Sequence, residues 1–189
     1  MTAVAMRHSE LPAGLPQGTW LIDPSHSQAT FSVRHAGIAR VSGTVDITEG
    51  LIVVGHNLVL TSVTATLDGT TVSTGDPARD EHLRSTNFFD TRNHPEWWFS
   101  SNVVTVRPEG YVITGFLGLN GVTRSVDLAT RFEGTAVDPF GALRAGFSAS
   151  ARISRRTFNL TWNSVLETGG VLVADDVRLQ LEISAIART

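Results

Sequence analysis

The polar side chains most able to do chemistry are concentrated in the stretch Arg79-Asp80-Glu81-His82-Leu83-Arg84-Ser85. On a helix, Leu83 shares a face with Arg79 and Asp80 through i+3 and i+4 spacing, and His82 stands off that face. Two uses follow. Arg79 or His82 meets the polar head of a bound molecule, or Arg79 and Asp80 pin the helix to neighbouring strands by charge-assisted hydrogen bonds. His26, His35, His82 and His94 are the other candidates for metal or acid–base work. No pair has H-x-H or H-E-x-x-H spacing, so a zinc site would have to assemble from distant strands. Asp23, Ser25 and His26 lie too close in sequence for a well-formed triad, and there is no G-x-S-x-G elbow. Asp23-Pro24-Ser25-His26-Ser27 reads more simply as a turn that opens a strand. The absence of cysteine excludes disulfides, Cys-based zinc sites and thiol nucleophiles. No catalytic residue, metal ligand or cofactor is therefore expected, and the protein is read as a binder rather than an enzyme.

The elements that must carry these groups are mostly strands, because period-two alternation dominates. Val171, Val173, Val177, Leu179, Leu181 and Ile183 fall on one face, against Asp176, Arg178, Gln180 and Glu182 on the other. The same pattern sets Ala29, Phe31 and Val33 against Thr30, Ser32 and Arg34. It recurs at 63–67, 111–119, 126–132 and 145–153, with weaker strands near 41–47, 51–57 and 96–106. The count comes to about eight strands joined by turns such as Glu109-Gly110 and Asn120-Gly121. One-sided strands in such number imply an antiparallel sandwich or a closed barrel. One segment interrupts them: Asp76 as N-cap and Pro77 at the first helical position predict a helix of about two turns, Pro77 to Ser85. Small residues on the dry faces (Ala29, Ala65, Gly115, Ala145, Ala149, Ala151) would leave a barrel hollow, although periodicity alone equally permits a filled sandwich.

In order along the chain stand W-L-I-D-P-S-H-S (Trp20 to Ser27), F-S-V-R-H (Phe31 to His35), R-D-E-H-L-R-S (Arg79 to Ser85) and F-F-D (Phe88 to Asp90). G-F-L-G-L-N-G-V-T (Gly115 to Thr123) and D-D-V (Asp175 to Val177) follow. This ordered set resembles the YceI family, whose pattern runs I-D-x-x-H-S, F-x-V-x-H, R-D-x-H-L, F-F-D, G-x-L-T-x-x-G-V-T and D-x-V. Gly118 stands where that family usually has Thr, Asn120 where it often has His, and R-R-T-F-N where R-x-D-F-G is common. The resemblance implies an all-β, eight-stranded antiparallel lipocalin-like β-barrel with a short helical insertion at about residues 76–90. It further implies that the lumen binds a polyisoprenoid, such as an isoprenoid quinone or isoprenyl phosphate, for transport, storage or sensing.

On that frame the expected lumen residues are Phe31, Val33, Ala65, Phe99, Leu117, Leu119, Phe147, Ala149, Leu179 and Leu181. Phe88, Phe89, Phe158 and Trp162 are expected to line one end, since loop-borne aromatics need a dry place. His35, Arg79 and His82 are the polar candidates beside them. Asp175, on the dry face of the last strand, needs a partner, for which His35 or Arg79 is expected; the competing outcome is a bulge that turns it outward.

With 41% hydrophobic and 17% charged residues, the composition is that of an ordinary folded domain. A net charge of −3, without a basic run tracking a groove, argues against nucleic acid. No stretch approaches the roughly 18 apolar residues of a membrane helix. Residues 1–18 read as a flexible tail without a secretory leader, ahead of one domain over 19–189, which predicts a cytoplasmic protein. An exposed barrel face permits a homodimer. Two other readings are a metal-dependent or acid–base enzyme acting on a lipophilic substrate, and a filled barrel serving as an interaction or stress module.

Overall fold

The computed structural model describes residues 11–167 and 169–188. Nine strand segments run β1 (Gly18–Ile22), β2 (Gln28–His35), β3 (Ala39–Val54), β4 (Ser62–Ser73), β5 (Glu96–Arg107), β6 (Gly110–Leu119), β7 (Val122–Val137), β8 (Leu143–Ser154) and β9 (Val173–Ala187). Between β4 and β5 lies the helix α1 (Pro77–Arg84). β1 pairs with β3 at 51–54 and with β9 at 185–187, while β2 pairs with the same two strands further along. β1 and β2 are thus two halves of one stave, interrupted by the short turn Pro24–His26. Eight antiparallel staves result, and the β3–β4 and β2–β9 pairings close them into a barrel. The two strands expected near 41–47 and 51–57 are one strand, β3, whose register shifts between Ile47 and Glu49. Closure leaves no strand at the edge of an open sheet among the described residues, so the paired stretches need no covering layer.

Local chemistry sets the punctuation. Asp76 caps α1 by accepting from the Arg79 N–H at 3.0 Å, Pro77 occupies the first turn, and Ser85 ends the helix. Asn120 and Gly121, with φ of +53° and +69°, turn β6 into β7 in the left-handed region that Asn and Gly tolerate best. On the outer wall, Gly118 faces Trp98, whose indole lies where any larger residue at 118 would have to be.

The two barrel ends are built differently. At one end, residues 11–17 fold under the barrel: Leu15 is buried, and the Trp20 indole N–H donates to the Pro16 carbonyl at 3.3 Å. This part of the expected tail is packed; residues 1–10 lie outside the described residues. Its core gathers Trp20, Ile22, Ile52, Val54 and Ala185. The other end carries the long connections, residues 74–95 with α1 and residues 155–172. There Val72, Trp97, Leu119, Phe158 and Leu160 pack together.

Candidate functional site

A cavity of about 650 Å³ runs between the two ends, within the roughly 300–1,000 Å³ of small-molecule sites. Its wall is the dry face that alternation marks. Phe31, Val33 and His35 come from β2, Ala65 from β4, Phe99 from β5 and Leu117 and Leu119 from β6. Phe147 and Ala149 come from β8, and Leu179 and Leu181 from β9. The end nearest Leu15 adds Leu11, Ile22, Val54 and Leu58. These, with Ile113, Leu128 and Phe132 along the wall, were not among the candidates, although alternation places the strand-borne ones on the same face. Tyr111 and Thr130 add hydroxyls to that wall; burial raises the Tyr111 pKa, and Thr130 Oγ1 donates to the Leu128 carbonyl.

The lumen is hollow for a reason beyond small side chains. Three inward glycines leave the space that aromatic rings on neighbouring strands occupy. A Cβ at Gly43 would stand 2.5 Å from the Phe31 ring, one at Gly115 2.4 Å from the Phe99 ring, and one at Gly69 2.5 Å from the Trp97 indole nitrogen. Rings that would otherwise cross the lumen are laid against the wall. The cost is visible at Trp97, whose buried indole N–H has no acceptor among the described residues.

Polar groups collect at the end with the long connections. Arg79, His82, Thr74 and Asp76 come from the α1 segment, His35 from the end of β2 and Arg155 from the turn after β8. Arg79 Nε donates to Thr74 Oγ1 at 2.7 Å and Nη2 to the Thr74 carbonyl at 3.2 Å. The His82 imidazole meets Trp162 edge-on at 4.5 Å between ring centres and Phe88 at 5.3 Å, and Phe89 packs on Trp97. Asp80 does not reach the cavity. It is buried and accepts from the Thr74 N–H at 2.7 Å, the Thr74 hydroxyl and the Ser73 hydroxyl at 3.1 Å, which pins α1 to the end of β4. Burial works to raise its pKa, but those donors and the Arg84 charge hold it below the ordinary carboxylate value.

Arg155 is the residue that motif reading missed. Only 3% exposed, it donates from Nε to the Ala174 carbonyl at 3.0 Å, from Nη1 to those of Leu160 and Trp162, and from Nη2 to that of Val173. It therefore staples residues 160–162 to β9 across the barrel end. Burial lowers its pKa, opposed by the Asp175 charge. Its signal was available: Ala149, Ala151 and Ile153 point inward, and residue 155 continues their parity.

Three expectations are corrected. Phe158 is fully buried in the core behind the wall, not on the cavity, and its carbonyl accepts from Asn120 Nδ2 at 3.1 Å. Asp175 pairs neither with His35 nor with Arg79. A register shift between Val33 and His35 bulges the chain there, and Asp175 accepts from Ser154 Oγ at 2.6 Å and the Arg156 N–H at 3.1 Å. Val171 precedes β9 and is exposed. Asp23, Ser25 and His26 do cluster, but Asp23 Oδ2 at 2.7 Å and Ser25 Oγ at 2.9 Å address the same His26 nitrogen, Nδ1, outside the lumen. A nucleophile and an orienting carboxylate need opposite ring nitrogens, so this is no triad. Hydrogen bonds from Ser25 and then Arg144 hold Asp23 well below the carboxylate range, locking the break in the first stave. Among the described residues, no three His, Asp or Glu side chains gather as metal ligands.

Known proteins place this barrel. A UPF0312 protein of Photorhabdus laumondii is 37% identical over 139 residues, which are 73% of this chain and 72% of the relative. The crystal structure of BcnA from Burkholderia cenocepacia superposes with a TM-score of 0.72 at 17% identity, over 86% of this chain and 98% of that one. A structure described as a polyisoprenoid binding domain from Saccharophagus degradans, implicated in plant cell wall breakdown, gives a TM-score of 0.59 at 14% identity, over 92% and 100%. The family model of the YceI-like domain matches residues 20–185, so the chain, with its closed barrel and inserted helix, belongs to the YceI-like family.

Proposed function

We propose that this protein binds a long-chain apolar lipid, a polyisoprenoid such as an isoprenoid quinone or isoprenyl phosphate, in the barrel lumen and carries, stores or senses it without transforming it. The carrying observation is the polarity of the cavity: an apolar tube from Leu15 and Ile22 upward, with Arg79, His82, His35 and Arg155 gathered at the other end. An amphipathic lipid fits it in one direction, tail toward Leu15 and head toward Arg79. The polyisoprenoid binding domain of Saccharophagus degradans, which shares the fold, supports the ligand class.

Tail burial dominates the energetics. Each five-carbon isoprene unit contributes roughly 3–4 kcal/mol of gross transfer free energy at about 0.8 kcal/mol per carbon. The net yield for large ligands is about 0.3 kcal/mol per atom, or roughly 1.5 kcal/mol per unit. Affinity then follows tail length, and the head group tunes it. The Thr74 hydroxyl at the cavity end is tied up between the Asp80 carboxylate and Arg79 Nε, where it anchors α1, and this structural use favours binding over catalysis.

Native mass spectrometry of the purified protein, followed by solvent extraction, tests the proposal. A co-purified isoprenoid near one per chain, or uptake of added long-chain prenol or quinone, is the expected result. A protein that is bare and refuses both overturns it.

A further inference from the structure

The polar end of the cavity is flanked by two hairpins that meet side by side. The β2–β3 turn is joined to the hairpin before β9 by the Ala36 N–H, which donates to the Leu172 carbonyl at 2.7 Å. Val165 and Val171 face each other across that second hairpin as a bridge pair. His35, Leu172 and Val173, at the bases of the two hairpins, line the cavity. Their outer surface carries apolar side chains where polar ones would cost nothing, beside the exposed Glu167: Ile38 is 87% exposed, Val165 82% and Val171 43%. Three such side chains on adjoining hairpins at this end of the barrel form a patch rather than scattered exceptions.

Directly behind these tips lies a band of arginines. Arg34 and Arg40 are cross-strand partners on β2 and β3, and Arg152 and Arg178 are cross-strand partners on β8 and β9. Their neighbours Val33, Val41, Ile153 and Val177 line the lumen, so all four guanidinium groups project from the outer wall. Like charges directly opposite one another destabilise a sheet. The acids in the band offset this only in part: Asp176 accepts from Arg152 at 3.2 Å, and Asp175 sits near Arg156. Arg34, Arg40 and Arg178 have no ion-pair partner among the described residues. In a chain of net charge −3, this local excess of positive charge calls for an anionic surface.

We propose that this rim docks on an anionic lipid bilayer, with Ile38, Val165 and Val171 entering the acyl boundary and the four arginines meeting the head groups. Docked this way, the polar end of the cavity faces the membrane, and an apolar ligand passes between bilayer and lumen without crossing water. The purpose of the docking rests on the lipid-binding proposal; the docking itself rests on the rim alone. Apolar tips distinguish a bilayer from a nucleic acid, which would use the arginines and leave the tips in water.

Co-sedimentation with vesicles of phosphatidylcholine, alone or mixed with phosphatidylglycerol, tests the inference on the full chain. Binding is expected to the mixed vesicles and to weaken as salt is raised. Arg34→Ser and Arg40→Ser are each expected to weaken it about fivefold, at about one surface arginine's worth of attraction. Ile38→Ser and Val165→Ser are each expected to weaken it about tenfold, for loss of an inserted aliphatic side chain. Circular dichroism should show all four variants folded, since these side chains are exposed. The lumen-filling variant Ala149→Phe should still bind vesicles, so failure of the lumen proposal and failure of this one are read separately. A folded protein that ignores mixed vesicles overturns the inference. So does binding that the arginine variants abolish and the Ile38 and Val165 variants leave unchanged, which is adsorption without insertion. Self-association lost in Ile38→Ser, with no vesicle binding, would assign the face to a second copy and equally overturn it.

Discussion

Gly115 offers the sharpest test of how the lumen stays open. A methyl group there would stand 2.4 Å from Phe99 Cζ and 2.6 Å from the Ser100 carbonyl oxygen. To regain ordinary contact at 3.4 Å, the ring tip must retreat by about 1 Å, toward the lumen that Phe99 lines, and the Ser100 backbone must also give way by about 0.8 Å. The strain of such overpacking costs roughly 1–3 kcal/mol of stability. A ring tilted inward displaces about one isoprene unit of tail; five carbons at about 0.3 kcal/mol each give about 1.5 kcal/mol, or about tenfold in Kd. Gly115→Ala is therefore expected to melt lower and to bind long prenols about tenfold more weakly, with a smaller loss for short ones. Phe99→Leu added to it removes the ring and should restore part of both losses. Titrations with prenols of graded length, alongside thermal melts, read all four terms of the cycle. A folded Gly115→Ala that binds every prenol as the parent does would refute the idea that inward glycines hold the lumen open, as would a double variant with no recovery.

Ala149→Phe, on the wall between Thr130 and Leu181, should abolish uptake of a long-chain prenol while the barrel remains folded; undiminished uptake by the folded variant would remove Ala149 from the ligand's path. Arg155→Met leaves the Leu160, Trp162 and Ala174 carbonyls without their Arg155 donor, while Val173 keeps Asn163 Nδ2; at about 1–3 kcal/mol for each group left buried and unpaired, chemical denaturation should show a loss of several kcal/mol. The carboxylates of Asp80 and Asp23 have pKa values lowered by folding, so their stabilisation is present above the unfolded-state value of about 4 and is lost as pH falls through the lower folded-state values. Denaturation midpoints should fall below about pH 4, and Asp80→Asn should lower the midpoint at neutral pH while making the acid slope shallower.

Much of this molecule is legible along the chain, because barrel strands and helix caps are local grammar. Alternation at Val173 to Ile183 and at Phe31 to His35 marks the wall, since a strand's side chains must alternate whatever lies beyond it. Asp76-Pro77 marks the start of α1 because the cap and the missing proline N–H are satisfied within the same turn. What needed the tertiary structure is whatever depends on register between distant strands. Phe158 reads as an end-lining aromatic, yet it is buried behind the wall because the turn after β8 folds it against Leu160 and the core. Asp175 lies on the dry parity, but the bulge beside His35 turns it to Ser154 and Arg156. The aromatic rings on Gly43, Gly69 and Gly115 involve positions on neighbouring strands whose alignment only pairing sets, and with them the volume of the lumen. Arg34, Arg40, Arg152 and Arg178 form no basic run in the chain; β8, β9, β2 and β3 become neighbours only when the barrel closes, and closure alone makes one band of them.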